Sequence, residues 1–141
     1  MVKRISDAEW RGDLQAGSGT VKLGSGAFDG PYSYKSRFED GSGTNPEELL
    51  GAAHAACFSM ALSLALSQAG HTPARVHTRA TVSFGPVTGG FAISRIDLET
   101  EGAVPGIDAA TFQKFAEGAK AGCPVSKALT GVDIGLTAKL L

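Results

Sequence analysis

The chain carries two kinds of hydrophobic rhythm. From Val132 to Leu140, apolar Val132, Ile134, Leu136, Ala138 and Leu140 alternate with Asp133, Gly135, Thr137 and Lys139. A period of two places one set on each face of a strand. Val76 to Phe84 repeats the pattern, with Val76, Thr78, Ala80, Val82 and Phe84 opposite His77, Arg79, Thr81 and Ser83. Phe91 to Thr100 follows after Gly85–Gly90, a turn containing Pro86, and predicts a hairpin. Its apolar positions change parity between Ile93 and Ile96, which predicts a bulge. Earlier in the chain, strands are expected over Lys3–Gly12, Gly17–Leu23 and Tyr32–Glu39. The third would place Tyr32, Tyr34 and Phe38 on one face and Ser33, Lys35 and Arg37 on the other. The Gly-rich, polar Asp40–Thr44 segment reads as a loop.

The second rhythm is helical, and Asn45–Leu66 dominates it. Pro46 suits a first helical position, Asn45 suits the N-cap before it, and Glu48 stands where a capping-box carboxylate belongs. Two first-turn carboxylates, Glu47 and Glu48, match the helix dipole, and Gly70 is a natural stop. Leu49 to Leu66 runs 18 positions without Lys, Arg, Asp or Glu. That is close to a membrane span, but the run is rich in Ala, Gly and Ser, contains His54, and has no flanking Trp or Tyr. The expectation is a central helix of a globular fold, its small residues allowing another element to approach closely. Asp108 can cap a second helix over Ala109–Ala121, striped by Phe112, Phe115, Ala116 and Ala119. After Gly122, Pro124 can start a short third helix to about Leu129, with Cys123 at its N-cap. Strands, helix, hairpin, helices and strand in that order read as an α+β fold.

At 141 residues the chain fits one domain, 1–141. A net charge of −1 without basic clusters argues against nucleic acid or an anionic membrane as partner. Charges at Lys3, Arg4, Asp7, Glu9 and Arg11 interrupt any export signal, so a cytoplasmic protein is expected. In that compartment two cysteines are reactive or merely buried rather than a permanent staple.

Cys57 and Cys123 stand 66 positions apart, so no CxxC motif exists. His54, His71 and His77 add too few ligands in too loose a spacing for a convincing zinc site. A thiol needs ionisation to be nucleophilic. Cys123 gains that at a helix N-terminus, whereas Cys57, mid-helix, needs a cation. Arg37 is the candidate in sequence, with Glu47 or Glu48 to aim its planar fork. The plainer reading leaves Arg37 on a solvated strand face and the glutamates as first-turn charges. A hydrolase built on Cys57 and His54 lacks an evident third group, and His54 reads more simply as a hydrogen-bonded core histidine.

The motifs AHAACFSMAL and GCPVS, with RFE and NPEELLG before the first of them, resemble the OsmC/Ohr family of thiol-dependent hydroperoxide reductases. The resemblance runs from AEWRGDL to the last strand, and the wording is closer to the OsmC branch. It implies Cys57 as peroxidatic cysteine, Cys123 as resolving cysteine, Arg37 as the activating arginine and Glu47, rather than Glu48, as its partner. It implies a Cys57 sulfenate and a Cys57–Cys123 disulfide, organic hydroperoxide as substrate, and no bound cofactor or metal. An external dithiol, of lipoyl type, would be the reductant. It further implies an intertwined homodimer, with curved antiparallel sheets around two central helices and active sites at the interface. Phe58, Met60, Tyr32 and Phe38 are candidates for an apolar mouth. A non-enzymatic protein binding small apolar ligands on the same fold is the alternative.

Overall fold

The computed structural model describes residues 1–141. The chain divides into two compact units, Met1–Leu49 and Leu50–Leu141. The first holds β1 (Ser6–Arg11), β2 (Ser18–Leu23), β3 (Asp29–Tyr32) and α1 (Tyr34–Phe38). The long helix α2 (Pro46–Gln68) crosses the division. The second holds the rest of α2 with β4 (Arg75–Val87), β5 (Gly90–Ala103), α3 (Ala109–Gly122), α4 (Pro124–Ala128) and β6 (Asp133–Leu140).

In the first unit β1, β2 and β3 form an antiparallel sheet, with Trp10 opposite Gly19 and Gly19 opposite Tyr32. Glycine is required at position 19, because a Cβ there would stand 2.4 Å from the Tyr32 ring and 2.6 Å from the Trp10 ring. The strand expected over Tyr32–Glu39 is corrected: it ends at Tyr32 and the chain turns into α1. The cause is local. Ser33 and Ser36 make a reciprocal capping box, the Ser33 hydroxyl accepting from the Ser36 N–H and the Ser36 hydroxyl from the Ser33 N–H. Tyr34 and Phe38 then stack one turn apart, ring centroids 4.8 Å from each other. Arg37 therefore sits in the last turn of a short helix rather than on a strand face.

In the second unit β4 and β5 form the long hairpin, joined through Thr88 and Gly89, and Val87 and Pro86 belong to the strand rather than the turn. The parity switch marks a bulge: Ser83 pairs with Arg95 and Phe84 with Ile93, leaving Ser94 unpaired. β6 runs parallel to β5, so this sheet is mixed. Parallel pairing follows from the connection, since α3 and α4 carry the chain back to the end where β5 began.

The core of this unit joins Phe58, Leu62 and Leu66 of α2, Ile96 and Leu98 of β5, and Phe112, Ala116 and Ala119 of α3. At 25–30 cal/mol per Å², burying a side chain such as Phe58 or Leu62 contributes about 2–3 kcal/mol. Ser59 ties α2 to β4 through Thr78 (2.8 Å), which in turn meets Thr100 of β5 (3.0 Å). Helix α2 is not enclosed on all sides. Gly51, His54, Phe58, Leu62 and Leu66 form its buried stripe, while Ala52, Ala56, Met60 and Leu64 face outward. Met60 is 75% and Leu64 59% exposed. The helix has the length and hydropathy of a membrane span. Its buried stripe is matched by strand and helix partners, as a core helix requires.

Candidate active site

Cys57 comes from the middle of α2, three residues after His54 and beside the fully buried Phe58. Cys123 comes from a joint: it is the C-cap of α3 and the N-cap of α4, with Pro124 following. Its extended backbone is what an N-cap adopts, and Pro124 needs no N–H partner in the first turn. These two elements bring the thiols close enough for each to shift the other's ionisation, with the Val125 N–H nearby. Both thiols are free.

Cys123 is fully buried, and its Sγ accepts the Ser126 N–H at 3.3 Å. Its S–H lies 3.2 Å from the Ser126 hydroxyl, and that hydroxyl lies 2.7 Å from His54 Nε2. His54 is fully buried too, and its Nδ1 has no partner. Burial lowers the His54 pKa, so the ring is neutral at pH 7.

The thiols are pushed in opposite directions. Burial raises Cys57; the Val125 N–H works against it, but the hydrogen bond and charge of Cys123 raise it further. Burial also pushes Cys123 up, yet the Ser126 hydroxyl, the Ser126 N–H, Cys57 and the Val125 N–H together bring it below its usual value. Left to themselves, the two sulfurs share one ionisation that favours Cys123. A positive group beside Cys57 would favour its thiolate against that burial.

Beside Cys57 lies an apolar groove of about 860 Å³, lined by Met60, Ala61, Leu64, Phe115 and Pro124 among others. Met60, a candidate for the apolar mouth, lines this groove. Phe58 is corrected: its buried ring points into the core and not into the groove.

Arg37 and Glu47 meet within the first unit. Arg37 Nε (3.1 Å) and Nη2 (2.8 Å) both donate to Glu47 Oε1, and the guanidinium lies 5.5 Å from the Phe38 ring centroid. Glu47 is nearly buried and its Oε2 lacks a partner. Glu48 does different work: its carboxylate accepts from the Thr44 hydroxyl at 2.8 Å while its N–H bonds the Asn45 cap at 2.7 Å. The capping box expected of it is therefore half formed, because Thr44 takes the carboxylate. Tyr32 and Phe38 line a cavity of about 380 Å³ in this unit, together with Trp10, Leu14, Tyr34 and Arg37. No group of three His, Cys, Asp or Glu side chains is arranged to hold a metal.

Two contributors escaped the sequence reading, Ser126 and the Val125 N–H. A signal was present, since Ser126 is the third residue after an N-cap cysteine, where a first-turn N–H meets the cap side chain.

The family model of the OsmC-like proteins matches residues 39–137, which include Glu47, Cys57 and Cys123. Peroxiredoxin OsmC of Escherichia coli K12 is 55% identical over 129 residues, 91% of this chain and 90% of that protein. The organic hydroperoxide resistance protein of Xanthomonas axonopodis pv. citri is 39% identical over 99 residues, 69% of this chain and 68% of its own. Among solved structures, an organic hydroperoxide resistance protein of Elizabethkingia anophelis superposes with a TM-score of 0.77 at 27% identity, covering 99% of each chain. OhrB of Bacillus subtilis gives 0.75 at 27%, over 95% of this chain and 97% of that one. With most of its length matched by the family model and a relative sharing over half its residues, this chain belongs to the OsmC-like protein family.

Proposed function

We propose that this protein is a thiol-dependent peroxidase reducing organic hydroperoxides to alcohols through Cys57 and Cys123. The observation that carries the reading is a pair of free thiols close enough to shift each other's ionisation, Cys57 of the two lining an apolar groove. The Cys57 thiolate attacks the terminal oxygen of ROOH; the O–O bond breaks, RO⁻ leaves and takes a proton to become the alcohol, and Cys57 becomes a sulfenic acid. Cys123 attacks the Cys57 sulfur, the S–O bond breaks, and hydroxide leaves as water once protonated. An external dithiol restores both thiols by exchange, and a lipoyl-bearing protein or small dithiol of that type is the reductant we propose.

Arg37 is the positive group Cys57 needs. Glu47 holds its fork by two donors, and a guanidinium stays charged under all relevant conditions. Lowering a thiol pKa from about 8.5 to about 5.5 raises the thiolate fraction at pH 7 roughly thirtyfold. The whole chain, 1–141, acts as one OsmC-like domain in a homodimer. Support for the dimer is the outward stripe of Ala52, Ala56, Met60 and Leu64, which one chain leaves uncovered. Two free thiols suit a cytoplasmic setting, where glutathione keeps them reduced. The family chemistry requires no prosthetic group.

The deciding experiment counts thiols. One equivalent of cumene hydroperoxide is expected to remove both free thiols of the wild type. In Cys123→Ser it leaves a sulfenate on Cys57 that dimedone traps. Retention of both wild-type thiols would exclude the peroxidase and favour a ligand-binding protein on this fold.

A further inference from the structure

The peroxidase reading uses both cysteines but leaves a buried polar chain unexplained. His54 and Ser126 sit in the core, joined at 2.7 Å, and Ser126 meets Cys123 with both its hydroxyl and its N–H. A fully buried imidazole with one nitrogen unpartnered is costly, and an apolar residue of similar size would avoid that cost.

Resting on that reading, we infer that His54 is a positioning residue for the resolving step, acting through Ser126 to hold the Cys123 sulfur ready to attack Cys57. The His54 Nδ1 has no partner, and a buried unpaired N–H is rarer than a buried unpaired acceptor. The proton therefore sits on Nε2, which donates to the Ser126 oxygen. With its oxygen so engaged, the Ser126 hydroxyl hydrogen is free to turn onto Cys123 as that sulfur ionises, joining the Ser126 N–H already aimed there. The sulfur is then held by two donors from one residue, beside Cys57. His54 needs no charge for this and gains none, being neutral in its apolar surroundings.

In the resolving step the Cys123 thiolate forms the S–S bond with Cys57 as the S–O bond of the Cys57 sulfenic acid breaks. The Cys123 sulfur is oxidised, the sulfenic sulfur is reduced, and the departing hydroxide takes a proton from solvent to become water. His54 and Ser126 keep their own protons. What they change is the fraction of Cys123 that is ionised and its aim.

The test is single-turnover stopped flow with cumene hydroperoxide, followed by quenching with dimedone at timed intervals. Sulfenate formation and disulfide closure are thereby read separately. Ser126→Ala and His54→Leu are each expected to slow closure by about tenfold, the value of one lost hydrogen bond. His54→Gln, whose amide N–H2 can donate to the same oxygen, is expected to restore closure to within about twofold. His54→Leu added to Ser126→Ala should slow closure no further, because both act through one hydroxyl. Thermal midpoints of all variants report folding independently. Closure at the wild-type rate in Ser126→Ala or His54→Leu, failure of His54→Gln to restore it in a stably folded protein, or additive effects in the double variant would each overturn the inference. If the wild type forms no sulfenate, the peroxidase reading itself has failed; if it forms and closes normally while the variants match it, only the role of His54 has.

Discussion

At Arg37, the proposed mechanism depends on residue identity and not on charge alone. Both of its hydrogen bonds to Glu47 come from the rigid fork, and the guanidinium also lies over Phe38. Lysine supplies a point charge on a flexible stem and reproduces neither. Arg37→Lys is therefore expected to lower kcat/KM for cumene hydroperoxide by about a hundredfold or more, near the loss of one preorganised electrostatic donor. Steady-state assay with dihydrolipoamide as reductant checks it, and activity within threefold of wild type would remove Arg37 from the mechanism. The cysteines themselves were legible because two thiols in a composition with no other redox motif draw attention at once. Ser126 was not, since a serine announces nothing until its N–H and hydroxyl are seen to meet a buried sulfur.

Individual elements follow from caps more than from hydrophobic pattern. Asp108 caps α3, accepting the Thr111 N–H at 2.8 Å, and hydrogen bonding from the Thr111 side chain and backbone lowers its carboxyl pKa. A depressed carboxylate contributes stability that is present above the unfolded value, about pH 4, and lost as pH falls through the folded value. Asp108→Ala is expected to lower the thermal midpoint at pH 7, with the gap to wild type closing below about pH 4. Melts recorded from pH 3 to 7 decide this, and a gap independent of pH would show that the carboxylate is not the capping group. The same logic explains where the pattern misled. Alternation of Tyr32, Tyr34 and Phe38 suits a strand, but Tyr34 and Phe38 are also one helical turn apart, and the Ser33–Ser36 box settled the choice. By contrast the hairpin was legible to its bulge, because a long two-stranded ladder with one buried face tolerates no ambiguity of parity. The parallel pairing of β5 and β6 is set by the crossover through α3 and α4, which single-strand periodicity does not record.

At the scale of the molecule, the outward face of α2 is the feature a single chain leaves unresolved. An apolar stripe ending in Met60 and Leu64 borders the groove that contains Cys57. If a second copy covers it, one charge there separates the subunits. Leu64→Glu is expected to convert a dimer to a monomer in sedimentation equilibrium, with peroxidase activity falling alongside. A wild-type monomer at micromolar concentration would refute the proposed assembly. The sequence identified that helix and its small residues, but a uniformly apolar segment carries no mark of which stripe meets its own sheet. Only packing of Gly51, His54, Phe58, Leu62 and Leu66 decides it.

Cys123 fastens the start of α4 by accepting the Ser126 N–H. In the proposed Cys57–Cys123 disulfide that sulfur carries no negative charge and accepts poorly, so the clasp is expected to loosen at that step of the cycle, before the dithiol acts. Oxidation should thus announce itself to solvent: amide deuterium uptake at Ser126 is expected to quicken in the disulfide form while α3 stays protected. A reductant approaching the oxidised molecule would meet a loosened turn where the reduced molecule presents a fixed one.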